Sequence, residues 1–160
     1  METKLDEKDV AILGLLQENC RMAAREIAQI VDSPITTVFA KIKRMEELKI
    51  IRDCKAILDA KKLGRGAAAF ILASVSYRVK QGAPQSQREI AQKIAKFPEV
   101  QEVHIITGDW DLLIKVKEAD VGAIGKLVID RLRLVKGIEK TLTCMVFETL
   151  KETTDILLEQ

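Results

Sequence analysis

The stretch IITGDWDLLIKV, residues 105–116, holds two carboxylates two positions apart, Asp109 and Asp111, beside the only tryptophan of the chain, Trp110. Two acids this close could act as a general acid–base pair, ligate a metal or bind a cation. A metal site needs further ligands nearby, and the sequence offers no clustered set. Apolar, strand-like residues flank the motif, and Gly108 stands where a tight hairpin favours glycine. The motif therefore predicts a hairpin tip rather than a catalytic cleft.

A hairpin tip of this composition could recognise a small zwitterion. Its backbone N–H groups can bind a carboxylate, and an aspartate can bind an ammonium group. These are the groups that a free amino acid requires, although both aspartates could also be ordinary turn residues. The sole histidine, His104, lies on the preceding predicted strand, and no Ser–His–acid pattern or nucleotide loop accompanies it. The sequence thus gives an enzyme little support.

Composition limits the class of protein. The chain has 160 residues, 48% of them hydrophobic, which suffices for one medium domain or two small ones. No apolar run approaches the ~18 residues that span a bilayer. The first ten residues carry acids where a secretory signal carries bases. We therefore expect a cytoplasmic protein without membrane contact.

Three cysteines, Cys20, Cys54 and Cys144, lie far apart in the sequence, and none forms a CxxC pair. An odd number of scattered cysteines in a cytosolic chain predicts free, reduced thiols that act as small, partly buried residues.

Periodicity predicts three short helices in the first third of the chain, at residues 5–19 and 22–31 and from Ser33 onward. Ser33 is the expected N-cap of the third helix, with Pro34 at its first position. The turn Asp32–Ser33 between the second and third helices is short, which favours a helix-turn-helix. The predicted buried stripe of the third helix consists of four apolar residues: Ile35, Val38, Ile42 and Met45.

The opposite face of this helix has small hydroxyls near its start and bases further along. Such a surface suits a helix in a DNA major groove, with slim residues at base edges and bases at phosphates. An ordinary solvated helix is the alternative. Residues 33–66 hold nine basic and four acidic residues, which favours an anionic partner. The face comprises Thr36, Thr37, Ala40, Lys43 and Arg44, with Lys41 at its flank.

The remaining sequence predicts a joint followed by two β-α-β units. Residues 51–58 alternate like a strand, and residues 61–66, KKLGRG, form a basic, glycine-containing hinge. The predicted strands are residues 67–79, 99–107, 111–117 and 137–150, and the predicted helices are residues 86–97 and 120–135.

This order is the ferredoxin-like βαββαβ arrangement, with both helices on one face of a four-stranded antiparallel sheet. Phe70, Leu72 and Ile114 predict an apolar second face, for which a second copy of the chain is the economical cover. The expected fold class is α+β. The expected domains are a winged-type helix-turn-helix domain (1–52), a connecting strand and hinge (53–66), a ferredoxin-like domain (67–150) and a C-terminal tail (151–160).

Over about residues 5–150 the chain resembles the Lrp/AsnC (feast/famine) family of transcription regulators. REIAQIV, SPITTVFAKIKRMEELKII, FPEVQEV and TGDWDLLIKV carry the resemblance, and the Gly108-x-x-Asp111 spacing is the most specific part. The resemblance implies binding of double-stranded DNA, and dimers that often assemble further to tetramers or octamers. It also implies an effector (RAM) domain that binds an amino acid near the hairpin, at contacts between dimers, and no other cofactor.

The resemblance also implies roles for individual residues. Lys49 stands where the family usually has glycine at the end of the recognition helix, Lys41 replaces a common arginine, and Trp110 replaces a frequent tyrosine. The implied recognition-helix residues are Ser33, Thr36, Thr37, Lys41 and Arg44. The implied effector residues are Thr107, Gly108, Asp109, Trp110 and Asp111 on the hairpin, and Thr141 and Thr143 on the last strand.

Two other functions stay open at this stage. The hairpin could only join dimers, which would make the protein an assembly partner without an effector. Some haem-pathway decarboxylases share this two-domain plan, but they would need histidine and arginine groups around a tetrapyrrole. A single histidine in the chain disfavours that possibility.

Overall fold

A computed structural model describes residues 4–76 and 86–158 of the chain. The chain divides into two compact units, each described by itself. The N-terminal unit comprises Met1–Ile57 together with Lys151–Gln160, and the sheet unit comprises Leu58–Leu150. The described residues of the segment expected as a separate tail, 151–158, thus cluster with the N-terminal unit. Among the described residues, no helix combines the length and apolar character needed to cross a membrane.

Three helices form the N-terminal unit: α1 (Glu7–Glu18), α2 (Ala24–Ile30) and α3 (Ile35–Glu47). A capping box starts α1, because Asp6 Oδ1 accepts from the Asp9 N–H at 2.8 Å and Asp9 Oδ2 accepts from the Asp6 N–H at 3.0 Å. The predicted helix-turn-helix is confirmed. Four fully buried side chains form the centre of its core: Ile12, Ile27, Val38 and Met45.

The turn into α3 differs from the prediction. Asp32 takes a left-handed φ of 47° and Pro34 is the N-cap, so Ser33 does not cap the helix. The Ser33 hydroxyl instead accepts a hydrogen bond from Lys8 Nζ at 2.7 Å. The placement of Ile35 in the buried stripe is also wrong. Ile35 lies about 60° around the helix from Val38 and is 48% exposed.

A left-handed residue, Lys49, ends α3 with φ of 58°. The Lys49 N–H donates to the Glu46 carbonyl at 3.0 Å and the Ile50 N–H donates to the Met45 carbonyl at 2.9 Å. This is the Schellman pattern, whose left-handed position favours glycine. Ile50 and Ile51 then pack against the core of the unit. The lysine at this position therefore carries backbone strain that glycine would not.

The cysteine prediction is wrong for two of the three residues. Cys20 and Cys54 form a disulfide, with Cα atoms 5.8 Å apart, and only Cys144 is a free thiol, exposed on β4. Local spacing could not predict this bond, because the two cysteines have a sequence separation of 34. The turn after α1 and the segment after α3 come together only once the three helices have packed.

The connecting strand predicted at residues 51–58 is also wrong, because no strand forms there. A strand requires a neighbour to accept its backbone hydrogen bonds, and among the described residues no strand pairs with this segment. Ile57 is 96% exposed.

The end of the chain returns to the N-terminal unit. The Gln17 side chain makes two hydrogen bonds with the backbone of Ile156. Gln17 Nε2 donates to the Ile156 carbonyl at 3.1 Å, and Gln17 Oε1 accepts from the Ile156 N–H at 2.7 Å. Leu158 packs against the core around Ile12 and Ile27.

The sheet unit has the predicted βαββαβ order, and its antiparallel strands lie in the order β2-β3-β1-β4. Positions 77–79 of the predicted first strand lie outside the described residues. A 3₁₀ turn, Leu132–Leu134, follows the second helix of the unit. The elements are β1 (Ala67–Val75), α4 (Gln87–Ile94), β2 (Val100–Ile105), β3 (Leu112–Glu118), α5 (Val121–Asp130) and β4 (Ile138–Met145).

The two faces of the sheet differ in cover. On the helix-covered face, Ile71 of β1 and Ile114 of β3 pack with Ile90 of α4 and Ile124 of α5. The prediction that Ile114 lies on the second face is wrong, because Ile114 pairs with Ile71 and shares that residue's side. The second face, called the open face below, carries an apolar centre of Phe70, Leu72, Leu113 and Leu142.

The left-handed end of α3 makes a stability prediction. Lys49→Gly should raise the unfolding free energy of the N-terminal unit by about 1 kcal/mol, because glycine adopts this φ without steric cost. Lys43→Gly, inside α3, is the control and should lower it by about 1 kcal/mol. Urea unfolding of the three proteins measures both changes. A Lys49→Gly protein less stable than the parent would contradict the strain at this position.

Candidate DNA-binding and effector sites

The outward surface of α3 consists of side chains directed away from its buried residues. Thr36, Thr37, Ala40 and Lys43 are all exposed, and the Lys43 ammonium lies 4.0 Å from Glu47 Oε1 on the same helix. Hydroxyl and methyl groups of this size can reach base edges, and a lysine can reach a phosphate. Phe39, 66% exposed beside this surface, was not foreseen. The sequence signal for this exposed residue was that Phe39 is aromatic and lies outside the predicted buried stripe of the helix.

Two predicted DNA-contacting residues are directed elsewhere. Lys41 Nζ lies 3.0 Å from Asp9 Oδ1, and Arg44 Nη2 lies 2.6 Å from Asp9 Oδ2. The Asp9 side chain is fully buried. Arg44 therefore does not point away from the packed side of α3, as the helical projection predicts, but contacts α1. The two bases hold α3 against α1.

Electrostatics explain why this cluster is stable. A buried carboxylate is costly unless charged partners surround it, and Asp9 has two. Lys41 also binds Asp6, and this hydrogen bond lowers the pKa of Asp6 below 3.8 while it raises the pKa of Lys41 above 10.5. Asp6 and Lys41 are therefore both charged at neutral pH. Local sequence rules could not predict this cluster, because Lys41 and Arg44 lie 32 and 35 positions from Asp9 in the chain.

The hairpin between β2 and β3 is held by Asp111. Its N–H donates to the Ala73 carbonyl at 3.0 Å, and its carbonyl accepts from the Ile106 N–H at 2.9 Å. Its carboxylate accepts from the Val75 N–H and from Gln87 Nε2, both at 2.7 Å. Asp111 thus joins the hairpin to the end of β1 and the start of α4.

A register shift in β1 explains the need for this carboxylate. The pairing of β1 with β4 is irregular between Ser74 and Val75, and β1 pairs with β3 only as far as Ala73. The Asp111 side chain supplies the acceptor for the Val75 N–H where the strand ladder no longer does. Asp111 therefore acts on the position of the hairpin, and the ligand role expected for it from the motif stays a prediction.

The remaining hairpin residues present a surface to solvent. Thr107, Gly108 and Asp109 are exposed, and Gly108 has φ of 117°, a value that a side chain would disfavour. Trp110 is half-buried, and Lys140 Nζ of β4 lies 4.9 Å from its ring centre. In residues 4–76 and 86–158 no cluster of three histidine, cysteine or acidic residues could hold a metal.

The two threonines of β4 alternate to a different face of the sheet from Lys140, the residue that contacts Trp110. Thr141 pairs with Ala73 and Thr143 pairs with Ile71, which places both on the helix-covered face. Lys140, whose ammonium contacts Trp110, pairs with Ser74 and alternates to the open face.

An exposed helix after a four-residue turn, residues 31–34, in a chain that also holds a βαββαβ sheet, is typical of a helix-turn-helix regulator with a separate ligand-binding or assembly domain. Comparisons with known proteins support this class. The Lrp/AsnC ligand binding domain matches residues 72–156, and a winged helix-turn-helix DNA-binding domain matches residues 5–52. The chain belongs to the Lrp/AsnC family and is a helix-turn-helix transcriptional regulator of that type.

Relatives and solved structures agree with this assignment. An uncharacterised HTH-type transcriptional regulator of Pyrococcus furiosus is 40% identical over 95% of this chain and 99% of its own length. The HTH-type transcriptional regulator FL11 of Pyrococcus horikoshii is 33% identical over 98% of each chain. A transcriptional regulator of Neisseria meningitidis, solved as a complex with L-Met, superposes with a TM-score of 0.88 at 28% identity over 97% of each chain.

The buried carboxylate of α1 makes the second prediction. Asp9→Asn should lower the unfolding free energy by about 2 kcal/mol, because Arg44 is left without its anionic partner and Lys41 keeps only one of two. Asp53→Asn removes only an exposed pair with Lys55 and should change the unfolding free energy by less than about 0.5 kcal/mol. Denaturant unfolding compares them, and equal effects would show that burial of Asp9 is unimportant.

The hairpin makes the third prediction. Asp111→Ala leaves the Val75 N–H and the Gln87 amide without this acceptor, and should lower the unfolding free energy by about 2 kcal/mol. Asp109→Ala, at the exposed tip, should change it by less than about 0.5 kcal/mol. Thermal unfolding followed by circular dichroism measures the difference. If the two variants were equally stable, Asp111 would not be a positioning residue.

Proposed function

We propose that this regulator binds duplex DNA as a dimer through α3, and that a small amino acid bound at the hairpin modulates its assembly or DNA affinity. The observation that carries the proposal is the outward surface of α3. Thr36, Ala40 and Lys43 are exposed, while the basic flank of the same helix is anchored to the buried Asp9.

Each exposed residue of α3 fits a contact in the major groove. Thr36 and Thr37 lie in the first turn, where a recognition helix approaches base edges, and the methyl group of Ala40 suits a thymine methyl. Lys43 lies further along and suits a phosphate. Ser33 binds Lys8 at the start of the helix, and we infer a supporting role for it. Lys41 and Arg44 serve this interface by keeping α3 in position.

The open face of the sheet supports a dimer. Phe70 and Leu142 are 37% and 46% exposed at its centre, and Leu72 and Leu113 lie beside them. Two such sheets packed face to face would bury this apolar surface. A two-fold dimer presents two copies of α3, and binding to successive major grooves requires them to be roughly 34 Å apart. Tetramers or octamers of such dimers are part of the same proposal.

The hairpin supports an amino-acid effector. The exposed tip offers the Asp109 carboxylate for an ammonium group and backbone N–H groups at Thr107 and Gly108 for a carboxylate. Trp110 provides an apolar and aromatic wall. The matched ligand-binding domain includes this hairpin, and the similar Neisseria protein was solved with L-Met. Thr141 and Thr143 remain candidates for a pocket that a neighbouring subunit completes.

We infer no catalytic activity and a cytoplasmic location. His104 lies 3.1 Å from Glu102 Oε2 on the sheet, and this local hydrogen bond gives no support to a haem-pathway reaction. The alternative function is an assembly partner that binds no effector, and the thermal-shift experiment below distinguishes it from an amino-acid-responsive regulator.

Selection of bound duplexes from a random pool tests the DNA-binding part of the proposal. We expect paired half-sites about 10 bp apart, or a multiple of that distance. The same selection with amino acids present should change the recovery of these duplexes. Failure of any duplex to compete over random sequence would overturn sequence-specific binding.

Salt dependence makes the fourth prediction. Lys43→Ala should weaken binding to all duplexes and reduce the slope of log affinity against log salt by about one unit for each phosphate that the lysine neutralises. Lys126→Ala, an exposed lysine on α5, is the matched control and should leave the slope unchanged. Fluorescence anisotropy between low and moderate salt measures both. Equal slopes in all three proteins would exclude a phosphate-binding role for Lys43.

Ligand-induced stabilisation makes the fifth prediction. One or a few of the twenty amino acids should stabilise the protein by about 2.7 kcal/mol at a hundred times the dissociation constant. Asp109→Ala should remove this stabilisation, and Asp53→Ala, an exposed acid of the N-terminal unit, should retain it. Thermal-shift measurements decide the matter. Stabilisation by none of the twenty would favour the assembly partner without an effector.

A further inference from the structure

The disulfide between Cys20 and Cys54 encloses the whole DNA-binding surface. Its 34-residue separation spans α2 and α3, so every candidate DNA contact from Ser33 to Arg44 lies inside the closed loop. Cys144, on the sheet unit, takes no part in it.

The disulfide joins the hydrogen-bonded turn after α1 to residues 52–57, which make few contacts with the helices. On one side, the Arg21 N–H donates to Asn19 Oδ1 at 3.0 Å and the Met22 N–H donates to the Asn19 carbonyl at 3.0 Å, which holds Cys20 in a tight turn after α1. On the other side, Ile51 is the last residue that packs against the core before the chain leaves the helices.

Residues 52–57, beyond Ile51, are all exposed. Their polar contacts are local, since Lys55 pairs with Asp53 at 2.9 Å and the Cys54 N–H donates to Asp53 Oδ1 at 2.9 Å. The disulfide is thus the tie between this segment and the turn after α1. It sets the point at which the chain leaves the N-terminal unit.

We propose that the Cys20–Cys54 disulfide is a redox-responsive clamp on the DNA-binding unit, closed by oxidation and opened by dithiol reductants. This inference rests on the proposed DNA binding. Cys54 is exposed, so a thiolate can attack its sulfur, while Cys20 is half-buried. The helices keep their own core of Ile12, Ile27 and Val38 when the bond opens. Opening therefore loosens the unit without unfolding it.

The chemistry of opening is a thiol–disulfide exchange. A dithiol thiolate attacks Cys54 Sγ, breaks the bond between the cysteines and releases Cys20 as a thiolate. The second thiol of the reductant then displaces Cys54 and forms a cyclic disulfide. Two electrons and two protons pass to the cysteines, which become thiols. A low-molecular-weight disulfide reverses the reaction and is itself reduced to thiols.

The closed clamp should favour DNA binding. Closing a loop of this length restricts the unfolded chain and so stabilises the folded unit. The bond also fixes where residues 52–57 leave the N-terminal unit. This reduces the conformational entropy that is lost when the two copies of α3 in a dimer bind one operator. Reduction should therefore lower the melting temperature of the N-terminal unit by on the order of 15 °C. It should also weaken binding to a paired half-site by about tenfold.

The test uses the full chain equilibrated in oxidised and reduced dithiothreitol, with free thiols counted after denaturation. We expect one reactive thiol in the oxidised protein and three in the reduced protein. Affinity for a duplex recovered by the random-pool selection is then measured in both states. Cys144→Ser should keep the redox response, whereas Cys54→Ser should bind like the reduced protein in both buffers.

Each outcome decides between two conclusions. Three reactive thiols in the oxidising buffer would overturn the clamp, as would equal DNA affinity in the two states; in either case the proposed DNA binding would stand. A redox response retained in Cys54→Ser would also overturn it. Absence of sequence-specific DNA binding in both states would instead overturn the proposed function, and the clamp with it.

Discussion

A buried carboxylate controls the position of the exposed helix in the N-terminal unit. Asp9 contributes its negative charge from α1, and Lys41 and Arg44 approach it from α3. Burying that charge is tolerable only while both bases stay in place, so rotation of α3 would separate the partners. The ion pair therefore selects which residues of α3 face outward. The surface through which we propose that Thr36 and Lys43 meet DNA therefore depends on a contact made by the basic flank of the same helix.

The sheet unit uses a carboxylate in a similar way. Asp111 looked like a ligand because it lies two residues from Asp109 in an exposed hairpin. Its oxygens instead bind the Val75 N–H and the Gln87 side chain, which places the hairpin at the end of β1. Asp109 is left exposed at the tip, where we propose that it meets a ligand. In both units, the residue that positions the site and the residues proposed to contact the partner are different.

Local sequence patterns predicted much of the fold, but they did not predict most of the contacts between segments that are distant in the sequence. Helical spacing located α1, α2 and α3, and alternation with turn residues located the βαββαβ order, since both depend on near neighbours. The disulfide between Cys20 and Cys54, the pairing of Asp9 with Arg44 and the side of the sheet that Ile114 faces depend on packing between distant segments. Lys49 was recognised as an unusual residue at its position, but its left-handed conformation required the structure.

A double-mutant cycle between Asp9→Asn and Arg44→Gln tests the central claim most directly. Unfolding free energy and affinity for a selected duplex are measured for the parent, both single variants and the double variant, at a temperature where all four are folded. If the pair positions α3, the two changes should couple by about 1 to 3 kcal/mol in stability and should also be non-additive in DNA affinity. Additive effects on DNA affinity would contradict the claim that Arg44 acts through Asp9.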